Sequence, residues 1–151
     1  MRQLSGLPLS SRLLLLQAIL LMPCIGISLR ICGFARTRVL LASLLKGRSR
    51  SANSCTAEVQ RAEVIAQMVK IAANHGFFHA RCLHQSLALW GLLTGENIPS
   101  EIKIGIPKKT YEYFNAHCWV ECCGFKLNDT ELMHQRYAVF PGDTSGISAT
   151  K

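Results

Sequence analysis

AHCWVECCGFKLND, residues 116–129, is the stretch on which the fold turns. From about Tyr113 to Glu121 its aromatic and apolar content favours a strand. Cys123-Gly124 then reverses the chain into Phe125 to Asn128. If Glu121 pairs with Phe125 across a three-residue loop, His117 falls opposite Asp129, with Cβ atoms about 4.5 to 5.5 Å apart. A carboxylate there can bond one imidazole nitrogen, fix the tautomer and aim the other nitrogen outward. A two-residue loop would shift the pairing by one and turn Asp129 to the opposite face.

The flanking segments supply the rest of a small domain. Upstream, Ile102, Ile104 and Ile106 alternate with Glu101, Lys103 and Gly105, the period-two pattern of a half-buried strand. Downstream, Tyr137 to Phe140 forms one last short strand. Two helices precede the sheet. Val59, Ala62, Ile65, Met68, Val69 and Ala72 recur at helical spacing, with Thr56 as the cap and Gly76 as the stop. The second helix runs from about Cys82 to Leu93 and is apolar on nearly all sides, which puts it in the middle of the fold. Gly95 ends it and Ile98-Pro99 keeps the chain extended afterwards. Helices grouped before a small antiparallel sheet make the fold α+β.

Cys82 opens that central helix, where unpaired N–H groups and the positive end of the dipole favour a thiolate. A thiolate beside an imidazole held by a carboxylate is the Cys-His-Asp form of a catalytic triad, here Cys82, His117 and Asp129. The N–H of Cys82 would serve as an oxyanion donor. Gln85 and Trp119 are candidates to line the cleft and bind substrate. No metal or cofactor is required. Cys118, Cys122 and Cys123 with His117 or Cys82 offer enough ligands for zinc. However, no C-x-x-C pair exists, and adjacent cysteines on a strand point oppositely. Taken singly, Cys82 reads equally well as an inert core thiol and His117 as a core histidine.

With 49% hydrophobic and 17% charged residues, the chain carries ample material for a core. Its charge is unevenly placed. Residues 1–57 hold eight of the 17 basic residues and no acidic one. The remaining nine basic residues balance all nine acidic residues. A cationic block meets an acidic protein face, an acidic peptide or anionic lipid. Its arginines lie among leucines, without interleaved aromatics, which argues against nucleic acid. Seven irregularly spaced cysteines suggest free thiols in a reducing compartment, hence a cytoplasmic protein.

The segment Leu13 to Leu29 imitates a signal peptide, but no small-x-small cleavage site follows it. Seventeen helical residues span ~25 Å, short of the ~30 Å hydrocarbon core. An organelle transit peptide would be less aliphatic. The preferred expectation is a pair of buried or surface-lying helices, with Ser10 or Ser11 capping the first and Pro23 to Gly33 bending the second. The domain plan is then an apolar cationic helical arm at 1–50, a core at 51–141 and a flexible tail at 142–151.

The ordered set of motifs resembles the transglutaminase-like cysteine peptidase of lasso-peptide biosynthesis. It comprises Arg81 to Leu89, Ile98-Pro99, Ile102 to Ile106, Ala116 to Glu121, Gly124 and Leu127-Asn128-Asp129. In that family a Cys opens a helix, an Ala-His-x-Trp-Val strand supplies the base and an Asp follows on the next strand. The resemblance implies a papain-like or transglutaminase-like core. It also implies an activity, removal of the leader from a ribosomally made precursor peptide before a separate ATP-dependent cyclase closes the macrolactam. Nothing before residue 57 looks like a strand-rich recognition module, so a separate leader-recognition protein is implied too. Residues 13–45 are expected to dock that protein, the cyclase or a membrane surface. Cys118 departs from the small residue more usual there. Two alternatives stand beside the hydrolase, namely an acyltransferase on the same fold and a non-catalytic scaffold.

Overall fold

A computed structural model describes residues 9–45, 54–75, 82–107, 116–128 and 137–139. Three helices, α1 (Leu9–Leu44), α2 (Cys55–His75) and α3 (Cys82–Gly95), precede four strands: β1 (Glu101–Pro107), β2 (His117–Cys122), β3 (Phe125–Lys126) and β4 (Tyr137–Val139). The strands form one antiparallel sheet in the order β3-β2-β1-β4. The α+β expectation holds, with helices and sheet segregated along the chain.

The two halves of the fold meet at α3. Leu87, Ala88, Leu89 and Leu93 are wholly buried there. They share a cluster with Ala62, Ile65 and Val69 of α2, Ala18, Met22 and Ile25 of α1, and Ile102, Val120 and Cys122 of the sheet. The alternation read in β1 holds at Glu101 and Ile102, exposed and buried, with Ile102 paired to the equally buried Val120. It breaks beyond them, where Gly105 is buried and Ile104 and Ile106 are half-buried. The N-terminal helix is thus packed into the same core as the rest.

That helix breaks where its one non-helical residue lies, at Gly33 (φ 76°, ψ 177°), and continues through Pro23. Leu21 and Leu41 would stand ~30 Å apart on a straight helix. Yet a methyl group placed on Gly91 of α3 would lie 3.7 Å from Leu41 and 3.9 Å from Leu21. The two limbs therefore fold back onto α3. Thr37 donates to the Gly33 carbonyl at 2.8 Å and lies 2.8 Å from the Ser28 hydroxyl, clasping the bend. Gly91 and Gly95, one turn apart, leave the groove that admits the end of α1. A Cβ on Gly91 would meet Leu45 Cδ1 at 3.0 Å, and one on Gly95 would meet the Leu45 carbonyl at 3.2 Å. Arg38 stacks over Trp90 at 5.2 Å and pins the second limb.

Several terminal assignments shift. Helix α1 begins by Leu9, so Ser11 lies inside its first turn and is buried. Helix α2 begins one residue before Thr56, and the Ser54 carbonyl accepts from Ala57 (3.0 Å) and Glu58 (3.2 Å), making Ser54 the cap. Gly76 lies outside the described residues. Gly95 is the last residue of α3 and not its left-handed stop. Asn97 (φ 55°) takes that role, with Ile98 N–H on the Leu93 carbonyl (2.9 Å) and Asn97 N–H on Thr94 (3.1 Å), a Schellman motif.

The hairpin after β2 is tighter than expected. Cys122 pairs with Phe125 and Glu121 with Lys126, so the loop has two residues, Cys123 (φ 49°) and Gly124 (φ 79°). Positive φ at both positions is the turn that follows the right-handed twist of the strands. The three-residue loop, its Glu121–Phe125 register and the direct His117–Asp129 pairing that followed from it are thereby corrected. The all-free-thiol expectation is corrected too. Cys123, at the turn, is joined to Cys55 at the start of α2 in a disulfide, with Cα atoms 6.3 Å apart, while Cys24, Cys32, Cys82, Cys118 and Cys122 are free. A pairing across 68 residues depends on tertiary proximity, which sequence spacing does not reveal.

Candidate active site

Cys82 is the first residue of α3 and is half-buried. Its Sγ lies 3.8 Å from the carbonyl oxygen of Ala116, the residue immediately before His117 at the start of β2. The fold thus brings the helix N-terminus to the end of the strand that carries the imidazole. Across the ladder from His117 stands Gly105, which puts no side chain beside it. On the same strand the His117 and Trp119 rings stack with centroids 6.0 Å apart and planes at 24°.

His117 and Gln85 both line a cavity of about 540 Å³ between α2, α3 and the hairpin. Leu127 and Asn128 close one side, and Glu63, Gln67, Lys70 and Asn74 of α2 form the opposite wall. Cys82 is not among the lining residues; its sulfur sits at the Ala116 carbonyl instead. Trp119 is 1% exposed and also lies outside the lining. It stands beside His117, its indole N–H donating to Glu121 at 2.8 Å and Lys126 lying over its ring at 5.6 Å. Asp129, the expected third member of the triad, lies outside the described residues. The chain leaves the ladder just before it, after the Leu127 N–H bonds the Val120 carbonyl at 3.0 Å.

Two residues that sequence reasoning did not single out tie the site together. Ser86, wholly buried one turn after Cys82, donates to the carbonyl of Cys118 at 2.9 Å. Asn128 donates its amide to Ser86 Oγ at 2.9 Å and accepts from the Val120 N–H at 2.8 Å. The Asn128 side chain thus stands in for the next strand residue, and the chain of bonds fastens the helix that Cys82 opens to the strand that carries His117. One hydroxyl within the apolar run Leu83 to Leu93 was the available signal for Ser86.

The neighbouring thiols are chemically quiet. Burial pushes the Cys118 thiol up to about 12, against a lowering by the Ser86 hydrogen bond and with a further rise from nearby Cys82. Burial also raises Cys122, helped by the Glu58 carboxylate. Half-buried Cys82, at a helix terminus beside the histidine strand, is the thiol placed for chemistry.

A helix-borne cysteine set against a histidine-bearing antiparallel strand is the arrangement of elements that thiol-dependent acyl transfer uses. The chain belongs to the transglutaminase-like superfamily, whose model matches residues 25–141. That superfamily includes cysteine peptidases and acyltransferases. No curated protein and no solved structure gives a significant match to the chain.

Proposed function

We propose that the chain is a cysteine peptidase that removes the leader from a ribosomally made precursor peptide during lasso-peptide maturation. The observation that carries the proposal is the approach of Cys82, at the head of α3, to the backbone beside His117, next to a cleft lined by His117 and Gln85. The Cys82 thiolate adds to the carbonyl carbon at the leader–core junction. The C–N bond then breaks as the His117 imidazolium protonates the leaving amine, freeing the N-terminus of the core. His117 next takes a proton from water as the oxygen adds to the thioester. Collapse expels the thiolate and leaves the leader with a carboxylate. The resemblance assigns Asp129 to hold the tautomer of His117, although the two-residue loop removes the direct cross-strand pairing that would have set the two face to face. The Cys82 N–H receives the oxyanion.

A leader-recognition protein and an ATP-dependent cyclase complete the pathway in this reading, which places the enzyme in the cytoplasm, where the precursor is made. Mass spectrometry of a candidate precursor tests it, using wild type and Cys82→Ala, each with the recognition protein. One new cut made by wild type alone, with water added across a single bond, is expected. Equal cutting by both proteins removes Cys82 as nucleophile. A product mass that gains an amine in place of water moves the reading to acyl transfer.

A further inference from the structure

The first limb of α1 carries an apolar stripe that the fold leaves uncovered. Leu13, Leu16, Leu20, Ile27 and Ile31 follow one another at intervals of three, four, seven and four residues, so at 3.6 residues per turn they share one face. All five are more than half exposed, from 53% at Leu16 to 77% at Ile31. The opposite face of the same limb, Ala18, Met22 and Ile25, is in the core. The stripe runs ~27 Å along the helix. Arg12 and Arg30, both exposed, lie beside it 18 residues, or five turns, apart, one at each end. No acidic residue precedes Glu58.

By length and composition α1 is apolar enough to cross a membrane. The fold uses it otherwise. A crossing helix would have to surrender Ala18, Met22 and Ile25 from the core, and the chain turns back at Gly33. A helix lying along the interface keeps the inner face packed and gives the outer face to lipid.

We propose that this face docks the protein on the surface of an anionic bilayer. The five aliphatic side chains enter the acyl boundary while Arg12 and Arg30 sit at the level of the phosphates. Charge selects this occupant, since guanidinium groups bracket the stripe and no carboxylate on the helix opposes an anionic surface. The inference stands whether or not the peptidase reading holds.

Vesicle flotation of the full-length protein tests it. Vesicles of phosphatidylcholine with 30 mol% phosphatidylglycerol, about that fraction being ordinary for an anionic surface, are compared with phosphatidylcholine alone. Wild type is expected to float with the anionic vesicles and much less with the neutral ones, and to release at high salt. Leu16→Ser/Leu20→Ser/Ile27→Ser is expected to weaken binding at least about a hundredfold, with helicity and thermal midpoint held, since all three side chains face outward. Arg12→Gln/Arg30→Gln is expected to weaken anionic binding about 25-fold and leave neutral vesicles unaffected. The proposal is overturned if wild type floats with neither vesicle or if the triple variant floats like wild type. It is also overturned if light scattering shows a dimer that the triple variant dissolves without any vesicle binding, which would assign the stripe to a second copy of the chain.

Discussion

Asn128→Ala removes the middle of the bond chain that joins α3 to β2. The Val120 N–H, donating to Asn128 Oδ1 at 2.8 Å, belongs to a residue with no solvent exposure. Leaving such a donor unpaired costs about 1–3 kcal/mol. The amide's own donation to Ser86 Oγ, at 2.9 Å, is lost as well, worth about 0.5–1.5 kcal/mol, although the Ser86 hydroxyl keeps its bond to the Cys118 carbonyl. Asn128 borders the cavity, so water can follow the deleted amide and offset part of this. The expected loss is about 2–3 kcal/mol, a fall in thermal midpoint of about 5–10 °C for a domain of this size. Chemical denaturation followed by circular dichroism measures it. Ser86→Ala removes bonds at the other end of the same chain. The double variant should therefore cost about 1 kcal/mol less than the sum of the singles. Strict additivity, or an Asn128→Ala protein within about 0.5 kcal/mol of wild type, would refute the clip. If the clip also sets the angle between thiol and imidazole, kcat falls in Asn128→Ala more than the unfolded fraction explains, with KM little changed.

Other outcomes follow from the same contacts. Native alkylation near pH 8 should modify exposed Cys24 and spare Cys118, whose thiol, held near 12, is ionised at roughly one part in ten thousand; a Cys118 adduct formed without unfolding contradicts its burial. Because that thiol is raised from 9.0 when unfolded to about 12 when folded, its contribution is fully present below pH 9 and is lost between pH 9 and 12, by about 4 kcal/mol at most. Comparing the alkaline slope of stability in wild type and Cys118→Ala isolates this term, and equal slopes would sink it. Gly91→Ala should be near neutral, because its new methyl presses only on the movable Leu45 Cδ1, at 3.0 Å, meets Leu41 and Leu21 at ordinary contact distance, and the helix gains about 1 kcal/mol of propensity. Gly91→Leu should cost about 2–3 kcal/mol by pushing α1 off α3, measured by thermal unfolding.

The contrast between legible and illegible parts of this chain follows the range of the interactions. The β1 strand, the apolar α3 and the reversal at Cys123-Gly124 were readable because each rests on residues within a few positions of one another. The loop length was misread by one because Cys123, a residue with a Cβ, takes positive φ, which composition does not announce. The limbs of α1 were legible as buried or surface-lying helices, but their docking site was not, because the groove at Gly91 and Gly95 looks on paper like helix-weakening glycine.

The same distinction separates the parts of the site. Cys82 and His117 were singled out from their local settings, a helix start and a strand start, and the fold brings those two settings together at the Ala116 carbonyl. The device that holds them, Ser86 to Asn128 across 42 residues, has no local signature beyond one hydroxyl in an apolar helix. A buried polar group survives in such a place only when it is bonded on all sides it needs. Ser86 satisfies that by giving its proton to the strand and taking one from the bend. The polar residue least explicable in the sequence is thus the one through which helix and strand are held in register, and it braces the approach of Cys82 to the start of the strand that carries His117.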